Sequence, residues 1–249
     1  MPPPLPPEIL DLIVDFLHDE PDALKACCLA SKSWVHRTRK HLFARVKFSL
    51  ESHVKLWEKT FPDPSNSPAR YTRNLTVCRS RVITSVGSWI RTFSGVVRLR
   101  VYIHGYDHDG GEVSFVPLRG LSPTLKSICL VYGFPVKSSE IFDLVCSFPL
   151  LEDLTLLSLS PHYVFKVDVW NIPSTSPKFT GCLDLNITYG PCPTVRRLLE
   201  LPGGLRFSKI VITCSDEVAE LAMDLVSKCS ETLEYLTMDY PNTGAFFLH

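Results

Sequence analysis

The run His104-Gly-Tyr-Asp-His-Asp-Gly-Gly-Glu112 gathers the side chains best suited to hold a metal or move a proton: His104, Asp107, His108 and Asp109. Imidazole and carboxylate together suit a divalent transition metal. A calcium loop starting at Asp107 fails, because its fifth, sixth and twelfth positions are Gly111, Glu112 and Leu118. Such a loop needs an oxygen ligand, a glycine and a bidentate glutamate there. A zinc site lacks a third ligand at a recognised spacing. A polar, glycine-rich loop after a strand is also an ordinary turn. The reading is therefore no metal and no cofactor.

The second chemical-looking feature is Cys27-Cys28, part of a set of nine cysteines that contains no Cys-x-x-Cys. Adjacent residues on a helix diverge by about 100°. They close a disulfide or share a metal only with difficulty, so the pair reads as small apolar packing. Cys146, Cys214 and Cys229 lie in apolar patterns, where a buried thiol is inert. The segment "MPPPLPPEIL" lacks a basic stretch followed by an apolar one, so no export signal is expected. Reduced thiols without an export signal point to a cytoplasmic or nuclear location. A nucleophile elbow G-x-S-x-G, a phosphate-cradling loop and a dinucleotide fingerprint are all missing. Catalysis is not expected, and a hydrolase using His104 and its neighbouring acids is the outlying reading.

The chain has 249 residues, 45% of them hydrophobic, and a net charge of zero. That balance argues against electrostatic binding of nucleic acid or of an anionic membrane. No apolar run approaches the length of a spanning helix. Neither nucleic acid nor membrane is expected as a partner.

The elements that would position binding residues begin at the N-terminus. "LPPEILDLIVDFLHDE" sets Ile9, Leu10, Ile13, Phe16 and Leu17 in one helical stripe, with Asp11, Asp15 and Asp19 on another face. Pro7 suits the first helical turn and Glu8 its positive end. Asp22 is a candidate cap for a second helix carrying Leu24, Cys27, Cys28 and Leu29, and Ser31 or Ser33 for a third carrying Trp34, Thr38, His41 and Leu42. "ARVKFSL" alternates as a short strand does. Residues 8–22 hold six acids and no Lys or Arg, whereas residues 25–47 hold seven Lys or Arg and no acid. Two mutually attracting solvated faces, or a docking face for an acidic protein, both fit this segregation. Nucleic acid fits less well, because no aromatic residues interleave with the bases.

"LPPEILDLIVDFL", then Leu24, Cys27, "LASKSW" and "HLF", resemble the F-box over residues 5 to about 48, most like F-box proteins abundant in fungi. Ala30 departs from the Val often found in the family. F-box domains bind the Skp-type adaptor of cullin–RING (SCF) ubiquitin ligases. The resemblance implies the same here, with adaptor contacts at Leu5, Pro6, Ile9, Leu10, Leu29, Ser31 and Trp34. Three short helices cannot bury their own apolar surface well, which agrees with a need for a partner.

Past "ESHVKLWEKTF", the Pro- and Ser-rich "PDPSNSPAR" reads as a loop and boundary. Short apolar strands then recur at Leu75, Leu99, Ile128, Leu154, Leu183, Ile210 and Leu236, in steps of 24, 29, 26, 29, 27 and 26 residues. Those steps, and the L-x-x-L-x-L core of "LEDLTL" and "LEYLTM", resemble leucine-rich repeats. The asparagine that usually ties such a repeat together is missing, and 158–181 reads as an irregular or hairpin insertion. The expected class is α+β overall: a small helical F-box at 1–48, a helix and linker at 49–70, and at 71–249 an α/β leucine-rich-repeat-like solenoid with a curved parallel sheet. After the last strand, "PNTGAFFLH" shows no evident polar cap, so this end is expected to be exposed, atypically capped or truncated.

Alternation along these strands turns Arg98, Arg100, Tyr102, Asp153, Thr155, Asp184, Asn186 and Tyr235 away from the core. These form the expected substrate surface, with ordinary solvated positions as the plain alternative. The functional expectation is a substrate-recognition subunit that joins a Skp-type adaptor, and through it a cullin–RING ligase, to an unidentified substrate protein. A repeat scaffold for protein interaction without a ligase role is the alternative.

Overall fold

Eight short strands share one sheet in the computed structural model, which describes residues 6–103, 113–133, 136–158, 170, 172, 174–187 and 193–240. The strands are β1 (Arg45–Phe48), β2 (Asn74–Cys78), β3 (Arg98–Ile103), β4 (Ser127–Tyr132), β5 (Asp153–Ser158), β6 (Cys182–Ile187), β7 (Lys209–Cys214) and β8 (Tyr235–Asp239). All seven pairings are parallel, and the order along the sheet is the order along the chain. The sheet is open, with edges at β1 and β8.

The apolar anchors read from the sequence fall in one row. Val46 pairs with Leu75, and the register continues through Leu99, Ile128, Leu154, Leu183, Ile210 and Leu236. Leu75 through Ile210 in that row are at most 1% exposed. A second buried row runs through Phe48, Val77, Val101, Leu130, Leu156, Leu185 and Ile212. Each such side chain contributes about 1.5–3 kcal/mol by leaving water. Parallel sheets are usually covered on both faces. Here the alternate residues of β3 stay exposed or half-buried, so one face carries the core and the other is covered only in part, with Val131 of β4 buried on it.

Successive strands are tied where they start. The Ala44 carbonyl accepts from the N–H groups of Arg73 and Asn74, and that of Arg73 from Val97 and Arg98. The pattern repeats from Val97 to Lys126 and Ser127, from Lys126 to Glu152 and Asp153, from Gly181 to Ser208 and Lys209, and from Ser208 to Glu234 and Tyr235. At the remaining step Glu152 accepts only from Gly181 N–H, and the Asp153 carboxylate takes the Cys182 N–H at 2.8 Å. The missing asparagine is thus no obstacle to linking the units, because the main chain links them.

Helices α1 (Pro7–Phe16), α2 (Pro21–Ala30) and α3 (Lys32–Leu42) precede β1. Both α1 and α2 begin with proline in the first turn. Asp22 does not cap α2: Glu20 holds the cap position with no side-chain bond, and Asp22 accepts from Lys25 Nζ at 2.7 Å. Pro21 already sets the first-turn φ, which moves the helix start ahead of Asp22. Ser31 does cap α3, accepting from Ser33 N–H at 3.3 Å.

The stretch 49–70 is packed rather than loose. Helix α4 (Glu51–Thr60) buries Val54, and Trp57 packs against the main core. Trp57 meets Phe48 edge-on at 5.6 Å, and Phe48 meets Trp89 at 5.3 Å. Two 3-10 turns follow, Pro64–Asn66 and Pro68–Tyr71, capped by Asp63 and Ser67. Ser67 is 4% exposed and Ala69 fully buried, so proline and serine here shape tight turns inside the fold. Strand β1, counted with the N-terminal unit from sequence, is the first strand of the sheet.

The connections after β2 carry α5 (Ser80–Ser85) and a 3-10 turn, and later ones carry α6 (Ser138–Cys146), α7 (Pro193–Leu199) and α8 (Ala219–Lys228). Most of 159–173 lies outside the described residues. Residues 174–181 form neither helix nor strand, yet Phe179 is fully buried and stacks on Phe207 at 4.9 Å.

Candidate functional site

Helix α1 is amphipathic in an inverted sense. The stripe read from sequence faces outward: Ile9 is 43% exposed, Ile13 42% and Phe16 85%, with Leu12 beside them. Leu10 and Leu17 are half-buried, and the only buried residue of α1 is Val14. The face carrying Asp11 and Asp15 turns toward α3. An apolar stripe on a helix ordinarily faces the core of its own chain; periodicity identifies the face but not what covers it.

The helix is held by charge instead. Asp11, Asp15 and Asp19 recur every four residues, as do Arg37, His41 and Arg45, and the two series meet. Arg37 donates from Nε to Asp15 Oδ1 at 2.7 Å and from Nη2 to Asp15 Oδ2, and His41 Nε2 lies 2.7 Å from Asp15 Oδ1. Arg37 also approaches Asp11 at 3.9 Å, and Arg45 approaches Asp19 at 3.3 Å. The Arg37 guanidinium bonded to Asp15 holds its carboxyl well below the usual carboxylate range, and His41 adds to the effect against the opposing desolvation. Part of the acid and base segregation of the sequence is therefore an internal ladder, from α1 to α3 and, through Asp19 and Arg45, from the turn after α1 to β1.

The expected adaptor residues divide into exposed apolar groups and local structural ones. Pro6 is exposed, and its carbonyl accepts from Ile9 and Leu10 N–H at 3.0 and 3.2 Å. Leu29 is 89% exposed, whereas Leu24 on the same helix is 1% exposed. Ser31 serves as the α3 cap. Trp34 is half-buried, its carbonyl accepting from Thr38 Oγ1 at 2.6 Å. Leu5 lies outside the described residues.

On the outward face of the sheet, Arg98 and Arg100 are exposed, and Tyr102, Thr155, Asp184 and Asn186 are half-buried. Tyr235 is exposed and lies under Lys209 Nζ, 4.7 Å from the ring centre. Asp153 has a structural duty, since its carboxylate supplies the acceptor for β6. Gly181 is the residue that permits this, because a Cβ there would collide with Asp153 Oδ1. Sequence reasoning passed over Gly181; its only signal was a glycine directly before a strand. Burial pushes the Asp184 carboxyl upward, opposed by Lys209.

Charge on this face is unevenly shared. A groove of about 510 Å³ over the first three strands is lined by Arg45, Lys47, Asn74, Thr76, Arg98 and Arg100, with Val46 and Leu75 beneath. Its charged lining is wholly basic, and the acids Asp153 and Asp184 stand farther along, on β5 and β6.

No cluster of three metal-capable side chains occurs among the described residues. The His104, Asp107, His108 and Asp109 group lies outside them. The eight described cysteines are free thiols, and burial pushes the Cys146 thiol up to about 12, with Cys214 and Cys229 also raised. Among the described residues no helix is long and apolar enough to cross a membrane. No protein-family model matches the chain, and no curated protein matches it.

Proposed function

We propose that this chain is a non-catalytic substrate receptor: an N-terminal F-box that docks on a Skp-type adaptor, followed by a leucine-rich-repeat-like arc that holds a target protein for a cullin–RING ubiquitin ligase. The observation that carries the reading is the inverted helix α1. A helix whose polar face is tied inward while Ile9, Leu12, Ile13 and Phe16 face outward has its apolar burial unfinished. Leu29 on α2 is a second large apolar residue left exposed, at 89%. Exposed apolar groups of this size mark protein-interaction sites.

The role is positional. A receptor that grips both ligase and target raises the effective concentration of target lysines near the charged conjugating enzyme. The adaptor would cover the α1 stripe and Leu29, and the target would lie on the outward sheet face. The exposed Arg98 and Arg100 on the second face of the sheet support the second assignment, and the unbroken strand order supports a repeat architecture.

Co-expression with a Skp-type adaptor tests the proposal. A stable complex lost on Ile9→Asp with Phe16→Ser supports it. A chain that elutes alone, with those substitutions changing nothing, removes the ligase role and leaves an interaction scaffold.

A further inference from the structure

The basic groove over β1, β2 and β3 holds four cations, of which, among the described residues, only Arg45 has an acid beside it. Its geometry follows from register: Arg45 pairs with Asn74 and Asn74 with Arg98, while Lys47 pairs with Thr76 and Thr76 with Arg100. Strands two apart are separated by about 10 Å, and alternate residues on one strand by about 6.6 Å. The four cations therefore stand near the corners of a small rectangle, with the Asn74 amide and the Thr76 hydroxyl between them as hydrogen-bonding groups. No carboxylate pairs with Lys47, Arg98 or Arg100 among the described residues, and Arg45 has only the exposed Asp19. Like charges set this close repel, so the arrangement is relieved by an anion.

We propose that this groove binds an oxyanion-bearing, extended polypeptide segment, its phosphoryl or carboxylate groups seated among Lys47, Arg98 and Arg100. Guanidinium groups grip both kinds of oxyanion through paired N–H donors. The occupant is a peptide rather than a nucleic acid because the basic area is short. Asp153 and Asp184 follow on the same face, on the second and third strands beyond β3, and would repel a continuing polyanion. The inference rests on reading the sheet face as the target-binding surface, and it is independent of adaptor binding.

The test uses the full chain, immobilised, and three random-flank peptide libraries centred on phosphoserine, on a glutamate cluster or on serine, with an oligouridylate as the nucleic-acid probe. Retention is measured below about 0.1 M salt, where the screening length is about 10 Å or more. Either anionic library should be retained roughly tenfold more than the serine library, and Arg98→Glu with Arg100→Glu should abolish the preference. Phosphoserine above glutamate assigns a phosphoryl ligand, and equality assigns a carboxylate as sufficient. Should the double variant fail to fold, Lys47→Glu alone must lower retention. Equal retention of all three libraries overturns the proposal, as does oligouridylate held more tightly than any peptide and released by the same variants. Adaptor binding by the same proteins is scored in parallel. An adaptor complex without anion preference defeats this inference alone, and anion preference without an adaptor complex defeats only the ligase reading.

Discussion

Replacing Asp15 with Asn removes the centre of the ladder between α1 and α3. The carboxylate accepts two hydrogen bonds from Arg37 and pairs with His41 at 2.7 Å. Charge-assisted bonds of this kind are worth about 1.5–3 kcal/mol when buried. The Asp15 and Arg37 side chains are each 34% exposed. Solvent screening therefore brings each partner nearer the value of surface pairs, about 0.2–1 kcal/mol. The expected loss is about 1–2 kcal/mol, confined to the helical unit. Hydrogen exchange at the α1 and α3 amides reads that local stability directly. The pH dependence has a fixed sign. A carboxyl held below its unfolded value of about 3.9 stabilises the fold above that value and ceases to as pH falls through its folded value. The gap between wild type and Asp15→Asn should be full at neutral pH and shrink below about pH 4. No gap at neutral pH, or a gap that stays undiminished well below pH 4, refutes the ladder as the source of α1 docking.

Four other outcomes follow from the packing. Gly181→Ala should destabilise the chain by about 1–3 kcal/mol in urea, because the Asp153 carboxylate must abandon the Cys182 N–H; combining it with Asp153→Ala should cost less than the sum of the two. Leu154→Ala, in the middle of the buried row, should cost about 2–5 kcal/mol. Phe16→Ser, at a position 85% exposed, should leave the thermal midpoint nearly unmoved. With its thiol pushed up to about 12, Cys146 should resist iodoacetamide at mildly alkaline pH until the chain is unfolded, as peptide mapping by mass spectrometry will show.

The sheet was legible from sequence because two signals agreed: period-two alternation within strands and a recurring step between them. The anchors Leu75 to Leu236 are one row of the register for that reason. The helical unit was legible in its elements but not in its orientation. An apolar stripe does not say whether its cover lies in the same chain, and here Asp15, not Phe16, faces α3. At 62–70 proline and serine signal a loop, and the chain there forms two 3-10 turns; that Ser67 and Ala69 are buried within it was not legible from composition. The basic groove was only half visible. Arg98 and Arg100 stood out as outward residues of one strand. Their convergence with Arg45 and Lys47 depends on β1 joining the sheet next to β2, a pairing across the whole of α4 and both 3-10 turns.

Calorimetric titration of the purified chain with a purified Skp-type adaptor tests the proposed receptor role most directly. The wild type should bind, as should Arg98→Glu with Arg100→Glu, whose changes lie on the sheet. Ile9→Asp with Phe16→Ser should abolish the heat of binding while leaving the thermal midpoint within a degree or so of wild type, since surface substitutions usually stay within about 0.5 kcal/mol. Absence of binding by the wild type, or equal binding by the α1 variant, would contradict the assignment of this exposed helix face to an adaptor.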